Sequence, residues 1–411
     1  MTVSKLLILA VAGLLISASA TRAADSDGRV YGKITTVDGD VLEGLIRWDK
    51  NEGAWVDILN GNKERSRQVA KRARDSRREK IRGLKRGFDF DPMIFSFNTQ
   101  AESGIRMGHI RSIEVDDDDR AILTLKSGET VEFEGGSTDI GSDVREIIIE
   151  DKNQGELELV WDDIERVDFM ACPETIASGF GERLYGVLTT RRGETFVGWI
   201  CWDVDEIFAN DILDGEENGR SRKLKFGRIT SIERYSSSGA RIVLANGDEM
   251  ILRGSNDIDN SNSGILVLDP GIGQVRVEWD EFEKVEFKPQ GKPVGYAQFD
   301  GGTPIWGTVT TEDGDLYTGS IKWDMDEAFT WEILDGESRD ITYDVEFGLI
   351  KSIEKVSDRY SLVTLLDGRE LKLGSSNDVD ESNKGIVVTD AKGEETVIEW
   401  ELFSKLDLPK K

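Results

Sequence analysis

The sequence predicts an all-β protein made of three tandem repeats, each a pair of small barrels built from short strands. The segment 31–36 recurs at 185–190 and again at 306–311, with offsets of 154 and 121 residues. Six units share one ending, in which an aromatic residue or Met is followed by apolar residues three and six positions later. Segments rich in Gly and Pro separate the repeats, as is typical of linkers.

These boundaries predict an N-terminal leader followed by three paired units. The predicted ranges are 1–24 for a signal peptide, 29–170 for the first repeat, 183–287 for the second and 304–408 for the third. The first repeat carries an insertion at about 63–98 that the other two lack.

The N-terminus has the pattern of a secretory signal peptide. Lys5 precedes an apolar run from Leu6 to Ala20, which is followed by small residues up to Ala24. This run is shorter than the roughly 20 residues that a membrane-spanning helix needs. We therefore expect export to the periplasm or the cell exterior, and no transmembrane segment.

Each half of a repeat, about 50 residues long, has the pattern of a small antiparallel unit. Asn246-Gly247 and Asp367-Gly368 supply tight turns between alternating strands, and the shared ending predicts a short helical turn that leads into a final strand. In length and strand pattern each unit resembles the small barrels of the SH3-like and Sm-like superfold. That resemblance implies a fold and no particular function. A six-bladed β-propeller is the alternative arrangement.

The strand after the first turn carries a repeated tryptophan. Alternation along this strand places Trp48, Trp202 and Trp323 on the same face as an isoleucine, which predicts core positions. An aromatic platform for sugar or peptide is the alternative. The opposite face is mixed in character and predicts a solvent or interface surface, on which Trp199 is the exposed aromatic binding candidate.

The insertion is basic in an otherwise acidic chain. Residues 63–86 contain twelve basic and three acidic side chains, whereas the whole chain carries a formal charge of −28. We expect an exposed, partly helical arm that binds an anionic polymer, lipid headgroups or an acidic envelope protein. Packing on the chain's own acidic surface, or simple solvation, is the alternative. The acidity elsewhere argues against nucleic acid as a partner. The binding candidates in the arm are Arg65, Arg67, Lys71, Arg72, Arg74, Arg77 and Arg78.

Two oxygen-rich loops, 256–264 and 377–385, suggest calcium as a cofactor. Counted from Asp257 or Asp378, the glycine falls at the eighth place instead of the sixth, so the EF-hand template fails. Loops closed by Asx turns are the alternative interpretation. The candidate calcium ligands are Asp257, Asp259, Asn262, Asp378, Asp380 and Asn383.

The sequence favours a protein that is not an enzyme. It contains one histidine and two cysteines, which argues against zinc sites and against Ser-His or Cys-His catalysis. His109 is expected to be a surface strand residue. Whether Cys172 and Cys201 form a disulfide is left open.

The predicted function is therefore a binding or scaffold module at the cell envelope, with a calcium-dependent carbohydrate-binding array as the alternative. A hydrolase ranks third, since it would need an acidic pair within reach in a cleft. The sequence does not define the ligand or the oligomeric state.

Overall fold

The computed structural model describes residues 26–64, 100–135, 139–173, 176 and 178–409, with the backbone alone at 26, 64 and 100–102. The predicted signal peptide and the basic residues from Arg65 onward in the insertion lie outside this part of the chain. The described elements are short strands and single 3-10 turns, so the all-β prediction is confirmed. None of the described residues forms a helix long and apolar enough to cross a bilayer.

The first repeat, as far as it is described, contains ten strands. They are β1 (Tyr31–Thr36), β2 (Val41–Trp48), β3 (Ile58–Glu64), β4 (Gln100–Arg106), β5 (Ile110–Asp117), β6 (Arg120–Leu125), β7 (Thr130–Glu134), β8 (Ile147–Asp151), β9 (Gly155–Leu159) and β10 (Ile164–Phe169). Its 3-10 turns are Ser26–Gly28, Met107–His109 and Trp161–Asp163.

The second repeat has the same sequence of elements. Its strands are β11 (Tyr185–Thr190), β12 (Thr195–Cys201), β13 (Ile212–Glu217), β14 (Arg220–Lys225), β15 (Ile229–Ser236), β16 (Gly239–Leu244), β17 (Glu249–Arg253), β18 (Ile265–Asp269), β19 (Gly273–Val277) and β20 (Phe282–Phe287). Its 3-10 turns are Phe226–Arg228 and Asn256–Ile258, and a further turn, Tyr296–Gln298, lies in the segment that follows.

The third repeat completes the pattern. Its strands are β21 (Trp306–Thr311), β22 (Leu316–Lys322), β23 (Ile333–Ser338), β24 (Ile341–Glu346), β25 (Ile350–Ser357), β26 (Tyr360–Leu365), β27 (Glu370–Gly374), β28 (Ile386–Thr389), β29 (Glu395–Ile398) and β30 (Phe403–Asp407). Its 3-10 turn is Phe347–Leu349.

The ten strands of a repeat pair in one order, β4-β3-β7-β6-β5-β10-β1-β2-β8-β9 in the first. The corresponding ladders recur in the second and third repeats, which is consistent with three copies of one unit. The order reads the same from both ends when the two halves are exchanged, because β5 and β10 form the central pair. Each half therefore relates to the other by an approximate twofold axis.

The two halves exchange hairpins instead of closing separately. Strand β3 of the first half pairs with β7 of the second, and β8 of the second half pairs with β2 of the first. The described strands therefore form two large antiparallel sheets, of ten and twenty strands, and close no barrel. Here the structure differs from the predicted pairs of closed barrels, and the continuous sheets also differ from the separate blades of a propeller.

The core is built as the alternation predicts. Trp48, Trp202 and Trp323 are fully buried, which confirms the core prediction for this face. Each indole N–H donates to a backbone carbonyl in the loop between β7 and β8 or its counterpart in the other repeats. The acceptors are the carbonyls of Asp139, Asp257 and Asp378 respectively. A buried tryptophan needs such a partner for its one polar group, so these contacts fix the loop to the core.

The shared endings also form as predicted in most halves. Four of them begin a 3-10 turn at Met107, Trp161, Phe226 or Phe347, and each turn leads directly into a strand. In the other two halves Trp279 and Trp400 begin hydrogen-bonded turns at the same place. The aromatic or Met side chain is buried in every case, and the turn redirects the chain into the central strand of the sheet.

A glycine in the second strand of each repeat permits close approach of the neighbouring strand. A Cβ atom at Gly44 would lie 1.9 Å from the carbonyl oxygen of Glu150, and a Cβ at Gly198 or Gly319 would lie 2.3 or 2.1 Å from the equivalent backbone. We expect Gly44→Ala to lower the free energy of unfolding by about 2 kcal/mol, because β2 and β8 must move apart. Urea denaturation measures this. The control is Gly135→Ala, because a Cβ atom at Gly135 would lie 3.4 Å from its nearest described neighbour, the carbonyl oxygen of Ile140. Equal stability of the two variants would contradict the packing argument.

Candidate functional site: the loops where the repeats meet

The three repeats meet through equivalent loops that follow the buried tryptophans. In each loop a carboxylate nine residues after the tryptophan caps the chain, namely Asp57, Asp211 and Glu332. One oxygen of Asp57 accepts the N–H groups of Gly53 and Ala54 at 2.8 and 2.7 Å. Asp211 and Glu332 accept the corresponding pairs of N–H groups in their own repeats.

The second oxygen of each capping carboxylate contacts a cation from another repeat. Repeats 1 and 2 make this contact reciprocally, because Arg183 donates to Asp57 at 2.9 Å and Arg47 donates to Asp211 at 2.7 Å. Asp57 and Arg183 are 2% and 3% exposed, so this ion pair is removed from water. A buried ion pair of this kind holds two repeats in one orientation, since separating them would leave each charge buried without its partner.

Repeat 1 binds repeat 3 by the same device and by a second ion pair. Lys63 at the end of β3 forms an ion pair with Glu332, and the carboxylates of Glu332 and Glu327 outweigh burial and raise the pKa of Lys63. Arg106 of β4 lies 3.2 Å from Glu346 of β24, which occupies the equivalent position in repeat 3. Repeat 1 thus contacts both other repeats, and its β3–β4 hairpin lies against repeat 3.

Repeats 2 and 3 are joined differently, by a shared sheet. Strand β19 pairs with β24 over five residues from Gly273 to Val277, which makes one sheet of twenty strands. Most buried side chains of repeats 2 and 3 form a single hydrophobic cluster. The three repeats are therefore fixed to one another by two ion-paired contacts and one strand pairing.

A glutamate lies in each of these loops, four residues after the tryptophan; Glu52 and Glu327 are buried, and Glu206 is half-buried. Burial, followed by nearby carboxylates, raises the pKa of Glu52 and of Glu327 well above the usual range and raises the pKa of Glu206 to about 9. One carboxyl oxygen of each has no hydrogen-bond partner among the described residues. The raised pKa values favour the uncharged acid, and an uncharged acid is tolerated in a site crowded with aspartates.

A cleft of about 440 Å³ opens where all three repeats converge. Its floor is one face of the joined sheet, on which Leu268 of β18, Gln274 of β19 and Asp344 of β24 lie side by side. Glu52 and Ile58 of repeat 1 form part of its wall. Burial raises the pKa of Asp344 to about 6, and its carboxylate accepts a hydrogen bond from Gln274 at 2.7 Å. The cleft presents acids and amides beside apolar side chains, which suits a small polar ligand.

The predicted aromatic candidate has a different environment from the expected one. Trp199 is 5% exposed and packs edge-on against Tyr185 at 5.6 Å, within the hydrophobic cluster of repeat 1. The face of β12 that it occupies is the interface with repeat 1, so the expectation of an exposed aromatic was wrong. Cys201 lies on the same face, and Cys172 is also buried. No disulfide joins these two described residues.

His109 is also buried, contrary to the expected surface strand position. It lies in the 3-10 turn before β5, is 5% exposed, and accepts the N–H of Gly301 at 3.1 Å. Its other ring nitrogen is 3.5 Å from Glu346 of repeat 3, and its ring packs against Phe299. The residue therefore belongs to the contact between repeats 1 and 3.

The two oxygen-rich loops use their polar atoms internally. Asp259 accepts from the N–H of Ser261 and Asn262 from the N–H of Gly264, at 2.9 and 3.0 Å, which are Asx turns. The loop of repeat 3 makes the same bonds through Asp380 and Asn383.

Asp257 and Asp378 in these loops are likewise engaged, because each accepts a backbone N–H from the neighbouring strand β13 or β23. Within the described ranges no three His, Cys, Asp or Glu side chains converge as metal ligands. These contacts favour the capped-loop interpretation over the calcium interpretation.

The contact residues at the junction escaped the sequence reasoning, although a signal for them was present. The spacing from tryptophan to the glutamate and on to the capping carboxylate is identical in all three repeats. The arm candidates from Arg65 to Arg78 lie outside the described residues.

Comparison of the chain with known protein-family models and with curated proteins finds no match.

Proposed function

We propose that this protein is a non-catalytic scaffold that is exported and binds at the cell envelope through the basic segment of its first repeat. The observation that carries the proposal is the reciprocal ion pairing of the loops at Asp57 and Asp211, which holds the repeats in fixed positions. A scaffold needs such a fixed arrangement to present a binding segment, because an ordered frame lowers the entropy lost on binding.

The position of the basic segment supports this role. Its two ends continue into β3 and β4, and this hairpin is held against repeat 3 through Lys63 and Arg106. Residues 63–86 carry twelve basic and three acidic side chains, whereas the chain as a whole has a formal charge of −28. An anionic envelope component is the partner that this charge selects.

Co-sedimentation of the purified protein with cell-envelope fractions tests the proposal. We expect retention of the wild type that weakens with salt and is lost when Lys71, Arg72, Arg77 and Arg78 are changed to Gln. The control changes the exposed Arg111, Lys351, Arg359 and Lys392 to Gln and should be retained like the wild type. Equal retention of both variants, or no retention of the wild type, would refute the role of the segment. Loss on chelation would instead favour the calcium-dependent alternative.

A further inference from the structure

Every repeat ends its sheet in two edge strands, and the chain itself shows how such edges join. Strand β19 at one end of repeat 2 pairs with β24 at the opposite end of repeat 3. By position in the strand order, β9 is the counterpart of β19 and β14 is the counterpart of β24. Among the described strands, β9 pairs only with β8 and β14 only with β13.

The paired strands β19 and β24 are more buried than their unpaired counterparts β9 and β14. In β24, which β19 covers, the residues are buried or half-buried, whereas β14 is exposed at five of its six residues. In β19 alternate residues are buried, whereas β9 has none that is fully buried. Unpaired edges with free N–H and C=O groups are templates for another strand.

The charges of the edge strands β14 and β9 are complementary. Strand β14 presents Arg220, Arg222, Lys223 and Lys225, whereas β9 presents Glu156 and Glu158. Carrying over the observed register, in which Gln274 lies opposite Asp344, places Glu156 opposite Lys223. Lys223 is 72% exposed on its side chain and makes only a 3.5 Å contact with Asp214, so it is accessible to such a partner. Like-charged edges repel one another, and this basic edge therefore selects an acidic strand.

Within one chain β9 and β14 do not pair, because repeats 1 and 2 are held through their loops by the ion pairs at Asp57 and Asp211. We propose that β14 accepts strand β9 from a second copy of this chain, in the antiparallel register that β19 and β24 show. Each copy offers the basic edge of β14 and the acidic edge of β9. Two copies that exchange both edges form a closed dimer, and copies that join in series form an open assembly. This inference does not depend on binding at the cell envelope.

Sedimentation velocity of the purified full chain over a range of concentration and salt tests this pairing. We expect reversible association that weakens as salt rises. Lys223→Glu and Glu156→Lys should each weaken association about tenfold, since like charges then face each other. The double variant K223E/E156K should recover association, because it restores an opposite pair.

Two controls separate edge pairing from general charge effects. Arg359→Glu and Glu312→Lys reverse exposed charges away from both edges and should associate like the wild type. Far-UV circular dichroism verifies that every variant keeps its β structure. A wild type that stays monomeric at all concentrations, or single variants that associate normally, would overturn the proposal. Failure of the double variant to recover would do so as well.

Discussion

Asp57→Asn should lower the free energy of unfolding by about 3 to 5 kcal/mol, although it changes only one atom. Asparagine retains an oxygen to accept the N–H groups of Gly53 and Ala54, so the loop cap survives. The negative charge that faces Arg183 is lost, and the guanidinium remains buried between two repeats. An uncompensated charge in that position is costly because water cannot reach it.

Chemical denaturation of the purified variant measures this effect, and two further variants interpret it. Asp117→Asn removes a carboxylate from the exposed ion pair with Arg120 and should leave the free energy of unfolding nearly unchanged, because water screens an exposed pair. Adding Arg183→Met to Asp57→Asn should recover much of the loss, since no charge is then left unpaired. A loss of similar size in D57N and D117N would contradict a buried ion pair at this contact.

Glu206→Gln should make the protein more stable at alkaline pH and leave it unchanged near pH 4.5. Burial and neighbouring carboxylates raise the pKa of Glu206 to about 9, whereas an unfolded glutamate titrates near 4.5. Between these values the unfolded chain has released the proton and the folded chain has kept it. The free energy of unfolding therefore falls as pH rises, by up to about 1.4 kcal/mol for each unit of pH.

At pH 8 the variant should exceed the wild type by about 2 to 4 kcal/mol, because glutamine cannot ionise. Urea denaturation at pH 5 and pH 8 measures the difference between the two slopes. Glu129→Gln, at an exposed turn, should follow the wild type at both values. Parallel curves for E206Q and the wild type would show that the Glu206 carboxyl is ionised in the folded protein. Glu52 and Glu327 have pKa values raised in the same direction, so they should behave alike.

The sequence allowed the elements to be predicted and left their partners undetermined. Alternation showed that Trp48, Trp202 and Trp323 face the core, because a period of two identifies the buried face of a strand. Alternation does not identify the neighbouring strand, since β3 presents the same backbone groups to β7 of the other half as to a strand of its own. Closed barrels and exchanged hairpins therefore give the same pattern.

The junction was beyond sequence reasoning for a related reason. Trp199 and His109 occupy positions at which each repeat has a different residue, so each was interpreted by its own strand or turn. Both are buried by a neighbouring repeat, whose approach depends on ion pairs between residues more than 100 positions apart. Only the repeated spacing that ends at Asp57, Asp211 and Glu332 indicated these loops, and it did not indicate which cation each would meet.

The hairpin exchange between halves sets the smallest segment that a gene rearrangement can add or remove. Deleting one half would leave β7 without β3, or β2 without β8, and would expose the edge of the sheet. Deleting or duplicating a whole repeat preserves every pairing within the unit and leaves only a contact between repeats to be replaced. The sheet therefore tolerates rearrangement in steps of one whole repeat, 121 residues between the second and third copies, and not in steps of half that length.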